Sequence, residues 1–337
     1  MKSALLVELN KPLVIAELEP GALSTGQVLV RVLVSGICGS QLHEISGHKG
    51  NGKFLPHLMG HEGCGIVEEV GPGVSTVKPG DKVVMHWRPG SGIESDFPKY
   101  LLQGVEFSSG KVNTLTQKAV VSENRLTSIP SDTDPELAAL FGCSLSTALG
   151  ILDYQSNLLL GESVVILGCG GVGLSLVLGA RLKGASSITV VDLSELKKAL
   201  ATQYGATDYR NTIEEIPSDT DLIIDTTGSP DLISAAFRFL SNSGRMIMVG
   251  QPKPGETLSI PNALDFFSGD GKQIRATQGG GGLPHIDIPR YLRLFKHLEL
   301  DLQSLVTHRY TIDEINTAFD TLVSGEAGRI MISMTPY

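Results

Sequence analysis

The rhythm of apolar and polar positions changes partway along the chain. In the first part the apolar runs are short and β-branched: Val28 to Val34, Gly65 to Val70 and Lys82 to Met85, each bounded by glycine or proline. This pattern predicts strands. Gly71-Pro72-Gly73 and Lys78-Pro79-Gly80-Asp81 read as turns, because proline presets φ and glycine accepts positive φ. Beyond Asp134-Pro135 the pattern changes. A helix-compatible stretch, Glu136 to Leu149, leads into alternating strand-like and helix-like runs: Ser163 to Leu167, Leu174 to Leu182, Ile188 to Asp192, Glu195 to Tyr204, Leu222 to Asp225, Leu232 to Leu240 and Met246 to Val249. Such alternation predicts an α/β unit, a doubly wound parallel sheet covered by helices on both faces. A Pro- and Gly-rich passage ending at Gly279 to Gly282 reads as a connection between domains. Two amphipathic helices follow, Ile288 to His297 and Ile312 to Val323, and then a strand, Arg329 to Met334.

Composition narrows the partners. At 337 residues, two domains are expected from about 100–200 residues per domain. The 36 acidic and 27 basic residues leave a formal charge of −9, with no long basic run, which argues against nucleic acid or an anionic membrane surface as partner. The longest uncharged stretch, Ser163 to Ala180, carries five glycines and falls short of the ~20 apolar residues that span a bilayer. Ala4 to Val7 is too short for a signal-peptide core, so a soluble, cytoplasmic protein is expected. Cys38, Cys64, Cys143 and Cys169 are too dispersed for a disulfide framework, leaving metal binding or burial.

Two segments carry chemistry. Val164 to Leu167 runs into Gly168-Cys169-Gly170-Gly171-Val172-Gly173 and an apolar helix, a Gly-x-Gly-x-x-Gly turn in strand–turn–helix context. Gly168 permits the tight turn, Gly170 admits a pyrophosphate, and Gly173 allows close helix-to-sheet packing, with Gly171 and Val172 opening the helix whose amides face the anion. Asp192, at the end of the next strand, is the expected acceptor for ribose hydroxyls. It would repel a 2′-phosphate, and Leu193 and Ser194 follow instead of arginine, so NAD is expected over NADP; Lys197 and Lys198 weigh the other way. Elsewhere, two cysteines and a histidine drawn from Cys38, His61 and Cys143 make a sensible zinc set that leaves a fourth position open. On spacing alone Cys64 and Cys169 compete for the same role.

These motifs together resemble the zinc-containing medium-chain alcohol dehydrogenase family: Gly-Ile-Cys-Gly-Ser-x-x-His from Gly36, Gly-His-Glu-Gly-x-Gly-x-Val-x-x-Val-Gly from Gly60, Val-x-x-Gly-Asp-x-Val from Val77, Gly-Cys-x-x-x-Thr from Gly142, the glycine turn, and Gly328-Arg329. The resemblance implies a GroES-like β-rich catalytic domain at 1–144 and 278–337, with a Rossmann NAD-binding domain at 145–277 between them. It implies one catalytic zinc on Cys38, His61 and Cys143, with Glu62 behind the metal and able to enter its shell. It implies a proton relay from Ser40 through the cofactor ribose to His43, Thr147 packed behind the nicotinamide, Arg329 on the pyrophosphate, and Trp87 and Leu115 lining the substrate pocket.

Three departures from the family stand out. The loop Arg88 to Lys111 has no cysteine, so no structural zinc is expected and ordinary packing should hold that lobe. Gln41 stands where an aspartate usually accepts from the zinc-bound histidine, a role its neutral amide could still fill. Gly39 replaces a basic contact to the cofactor phosphate. The implied activity is zinc- and NAD(H)-dependent interconversion of a small-molecule alcohol or polyol with an aldehyde or ketone, by hydride transfer from an alkoxide whose formation zinc promotes. The rivals are a zinc-free NADPH-dependent quinone or enone reductase of the same superfamily, and a non-catalytic NAD(H)-binding protein. Ile247 to Gly250 lies near where the family's cofactor domains pair, which implies a homodimer, with a homotetramer as the alternative. His48, His57, His86, His285, His297 and His308 show no ligand spacing.

Overall fold

A computed structural model of the chain describes residues 1–50, 55–260, 262–298, 300 and 302–334. It divides into two units, 1–143 with 283–337, and 144–282. Among the described residues no helix is long and apolar enough to cross a membrane.

The first unit is built around the strand Gln27–Ile37. Val28, Val30 and Val32 alternate along it, so a two-residue period turns all three into one core with Met59, Met85, Leu115 and Ile330. Each such burial contributes roughly 1.5–3 kcal/mol. Antiparallel neighbours Glu62–Val70, Lys118–Ser122 and Arg329–Ser333 flank the strand, with Val34 opposite Cys64 and Ile37 opposite Ile330. Lys82–His86 continues the sheet and sets His86 opposite Glu62. A separate five-stranded sheet joins His57–Leu58, Lys2–Leu6, Val14–Pro20, Lys99–Leu102 and Val105–Ser108. The cysteine-free loop is held by the expected packing and by polar staples as well. The Glu123 carboxylate accepts the backbone N–H of Ser75, Thr76 and Ile93 at 2.7, 2.8 and 2.8 Å, and Ser122 Oγ accepts from Ser95 N–H at 2.8 Å while donating to the Ile93 carbonyl at 3.0 Å. Polar staples therefore add to the apolar packing of Tyr100, fully buried with Leu5, Leu18 and Leu58, and satisfy backbone groups that need partners.

The second unit is the doubly wound sheet. Six parallel strands run in the order Asp208–Arg210, Ser187–Val191, Ser163–Leu167, Thr220–Asp225, Leu240–Met248, Gln273–Ala276. Val164 to Leu167 are all buried, which is why this strand reads as a continuous apolar run. The order reverses between Ser163–Leu167 and Thr220–Asp225, and such a switch point is where open α/β sheets bind ligands.

Three differences from the sequence expectation show what tertiary contacts impose. Glu136 to Leu149 is two helices, Pro135–Leu140 and Ser144–Tyr154, broken at Phe141 to Cys143. A Cβ on Gly142 would lie 2.7 Å from the Glu62 Cα, so the chain is pressed against the neighbouring strand and cannot carry a continuous helix. The helix expected to reach Leu240 ends at Ala236, because Phe237 stacks on Phe266 at 4.4 Å and Leu240 pairs with Thr220. The return to the first unit falls at Leu283, not at residue 278. Gly280 lies so close to the helix Ser144–Tyr154 that an added Cβ would meet the Thr147 carbonyl at 2.5 Å, which holds the glycine run with the second unit.

Candidate active site

Cys38, His61, Glu62 and Cys143 converge in the first unit, with their donor atoms all within 4.8 Å of one another. Each arrives by a different route. Cys38 ends the strand Gln27–Ile37 as the N-cap of the helix Gly39–Ile45, His61 and Glu62 open the strand Glu62–Val70, and Cys143 follows the break at Gly142. Glu62 is fully buried and pairs with the Arg329 guanidinium, itself 4% exposed. A Cβ on Gly36 would lie 2.7 Å from the Glu62 carboxyl carbon and 2.9 Å from an Arg329 nitrogen, so only glycine leaves room for that pair.

The donors perturb one another. A hydrogen bond with Cys143, helped by His61 and Arg329 against the cost of burial, holds the Cys38 thiol well below its ordinary value. The same contact, together with burial, pushes Cys143 well above its own. Burial opposes a charge on His61, yet the Cys38 contact and charge, with Glu62 and Glu44, raise it overall. Burial raises the Glu62 carboxyl even with Arg329 beside it. Glu62 Oε2, Arg329 Nε and Gln41 Nε2 are buried without a hydrogen-bond partner. Two thiols, an imidazole and a carboxylate gathered out of water, with polar atoms left over, form a set that a divalent cation stabilises, and the donor types suit zinc.

Ser40 and His43 both lie on the short helix after Cys38, three residues apart and so on one face. His43 also packs edge-on to His48, with ring centroids 5.7 Å apart. Gln41 does not take the role expected of it. Its Oε1 accepts the Cys38 backbone N–H at 2.9 Å, so the amide oxygen orients the Cys38 end of the helix and leaves a donor, Nε2, over. A Cβ on Gly39 would meet nothing within 4 Å, so a larger side chain would have had space there.

In the second unit the glycine turn has the expected form. Gly168 stands at φ +91, and a Cβ on Gly173 would lie 2.0 Å from the Gly168 carbonyl, which makes both positions glycine-only. Gly170 caps the helix Gly171–Leu182 and would offer open space around an added Cβ, as an anion-approach point needs. Asp192 is strongly held. Oδ2 accepts from the Cys169 N–H at 2.6 Å and the Lys197 ammonium at 3.0 Å, and Oδ1 from the Ser194 N–H at 2.9 Å. One acceptor direction on Oδ1 remains for a ribose hydroxyl. Thr147 is buried on the helix Ser144–Tyr154.

Other expected residues fall elsewhere. Leu115 is fully buried in the core of the first unit and offers no surface to a substrate. Arg329 is engaged by Glu62, a contact that sequence spacing did not suggest. Cys64 and Cys169 are buried thiols, each pushed up to about 12 by burial, and neither joins the cluster. His86, set aside for lack of ligand spacing, is buried opposite Glu62. Its Nδ1 lies 2.7 Å from the Arg88 carbonyl and its Nε2 2.9 Å from Thr127 Oγ1, so the ring donates from Nδ1 and accepts at Nε2 as a neutral imidazole. Burial holds it down to about 4. Its strand position could have suggested burial, but no motif marks it.

A GroES-like antiparallel unit carrying a thiol, imidazole and carboxylate cluster, and a Rossmann unit carrying a glycine turn at its switch point, define the class. Residues 24–131 match the alcohol dehydrogenase GroES-like domain and residues 171–297 the zinc-binding dehydrogenase family, and the chain belongs to the zinc-type medium-chain dehydrogenase/reductase family. It is 28% identical over 360 residues to an NDMA-dependent alcohol dehydrogenase of Amycolatopsis methanolica, covering 96% of each chain. Its fold is similar to that of benzyl alcohol dehydrogenase from Acinetobacter calcoaceticus, with TM-score 0.88, 26% identity and 99% of each chain covered. It is also similar to an alcohol dehydrogenase zinc-binding domain protein from Burkholderia ambifaria, with TM-score 0.90, 25% identity and 99% of each chain covered.

Proposed function

We propose that the protein is a zinc- and NAD(H)-dependent alcohol or polyol dehydrogenase that interconverts an alcohol with an aldehyde or ketone. The observation that carries this reading is the convergence of Cys38, His61, Glu62 and Cys143 within 4.8 Å, with buried polar atoms left unpartnered around them. Cys38, His61 and Cys143 would hold one zinc, with Glu62, paired to Arg329, as the fourth donor group of the cluster. The two bound groups supply what side chains cannot: zinc gives Lewis acidity toward the alcohol oxygen, and NAD accepts the hydride. Ser40 receives the alcohol proton and passes it by way of the cofactor ribose to His43, which delivers it to water. Gly168, Gly170, Gly171, Val172 and Gly173 seat the pyrophosphate, Asp192 takes the ribose with Lys197 beside it, and Thr147 backs the nicotinamide. The relatives' alcohol chemistry favours a small-molecule alcohol as the substrate.

Elemental analysis of protein purified without chelator, joined to a panel of alcohols and polyols with NAD and with NADP, tests the proposal. One zinc per chain with NAD-linked oxidation supports it. Protein that takes up no zinc when zinc is added, or reduces quinones with NADPH instead, sinks it.

A further inference from the structure

The loop that follows Trp87 is gathered by one carboxylate. Glu94 Oε2 accepts from Asn124 Nδ2 at 2.5 Å, and Oε1 accepts from an Arg125 guanidinium nitrogen at 3.0 Å and from Lys111 Nζ at 2.5 Å. Partial burial works against the charge, but hydrogen bonds from Lys111, Arg125 and Asn124 outweigh it and hold the carboxyl down to about 2. Arg125 does not end at Glu94. Its other terminal nitrogen donates to the Trp87 carbonyl, and the Arg125 side chain is only 16% exposed, so this two-armed bridge is shielded from solvent.

Trp87 leaves the strand Lys82–His86 one residue past His86, which faces Glu62 across the sheet. Two contacts fix the backbone there: Arg125 on the Trp87 carbonyl and the His86 ring on the Arg88 carbonyl at 2.7 Å. The Arg88 guanidinium carbon sits 5.6 Å from the Trp87 ring centroid.

We propose that Glu94 is a positioning residue for the substrate pocket, acting through the Arg125 bridge to fix the Trp87 backbone and hence the direction of its indole. This deepens the dehydrogenase reading and rests on it for what the indole touches; the link from Glu94 to Trp87 does not. With Glu94 neutral, Arg125 is a partly buried cation without its counter-charge, and it turns toward water and releases the Trp87 carbonyl. A glutamine keeps only one acceptor oxygen, so an amide donor then faces either Asn124 Nδ2 or the Arg125 and Lys111 cations. Lys111 shares Glu94 but has its ammonium over the Phe97 ring, 5.3 Å from the centroid, so it separates loosening of the loop from release of the indole.

Trp87 is the chain's one tryptophan, so its fluorescence reports this residue alone. In full-length, metal-loaded Glu94→Gln, emission should shift to the red and acrylamide quenching should rise, with KM for a bulky alcohol up several-fold and kcat changed less than KM. Lys111→Ala should leave emission and KM as in the parent protein. Unchanged emission in Glu94→Gln, or an equal shift in Lys111→Ala, overturns the proposal. Should Glu94→Gln not fold, Arg125→Lys keeps the cation but removes the fork, and an unshifted emission there overturns it as well. If the parent enzyme oxidises no alcohol, the dehydrogenase reading falls, while the fluorescence still decides the Glu94 to Trp87 link.

Discussion

The donor cluster and the glycine turn solve opposite problems. The cluster draws Cys38, His61, Glu62 and Cys143 from separate segments and leaves Glu62 Oε2, Arg329 Nε and Gln41 Nε2 without partners. The turn is made from one stretch of chain, and around it the Asp192 carboxylate is already held by Cys169, Ser194 and Lys197. A site that keeps buried polar atoms in reserve is built to be completed by a cation. A site that satisfies its own groups is built to keep its shape while a ligand comes and goes.

The comparison breaks most sharply at Cys143. Cys143→Ser should lose the zinc found by elemental analysis and lower alcohol oxidation on the order of 10³-fold, while NADH binding survives; if both fall together, the two sites are not independent. Gly173→Ala should do the reverse. Its Cβ meets the Gly168 carbonyl at 2.0 Å, so NADH affinity and stability should drop by on the order of 3 kcal/mol in binding and urea titrations, with zinc content intact.

Two smaller changes sharpen the contrast. His86 stays neutral when folded down to about 4. Because the unfolded histidine takes a proton below about 6.5 and the folded one does not, stability should fall as pH drops between those values and level off below them. By about pH 5.5 this costs about 1.4 kcal/mol, and urea midpoints for His86→Gln should lose that part of the slope. In the turn, Lys197→Met removes the cation beside Asp192, so preference for NAD over NADP in steady-state kinetics should rise by roughly tenfold, the weight of about 1.4 kcal/mol; an unchanged ratio would show that the lysine only supports the loop.

The turn was legible because its chemistry is local. Val164 to Gly173 carries its strand, bend and helix start in consecutive residues, and Asp192 closes the next strand. The cluster was not legible from spacing: Cys64 and Cys169 were equal rivals until family resemblance ranked the ligands, since nothing in the sequence reports which strands lie side by side. Edge strands such as Asp208–Arg210 and Gln273–Ala276 escaped for a related reason, being short and polar on one side. The helix break at Gly142 depends on how closely it approaches Glu62, and the staples from Glu94 and Glu123 use side chains whose partners lie far along the chain. Gln41 shows the limit of analogy, since a residue at an expected position spent its acceptor on a different donor.

The buried pairing of Glu62 with Arg329 joins residues 267 positions apart, and Arg329 opens a strand that lies against Gln27–Ile37. During synthesis, the ribosome must finish the whole nucleotide unit before the metal-donor unit can close its sheet. The cofactor turn is therefore ready to fold while the donor cluster is still waiting for its last strand, and a metal taken up by that cluster would find a finished site only at the end of translation.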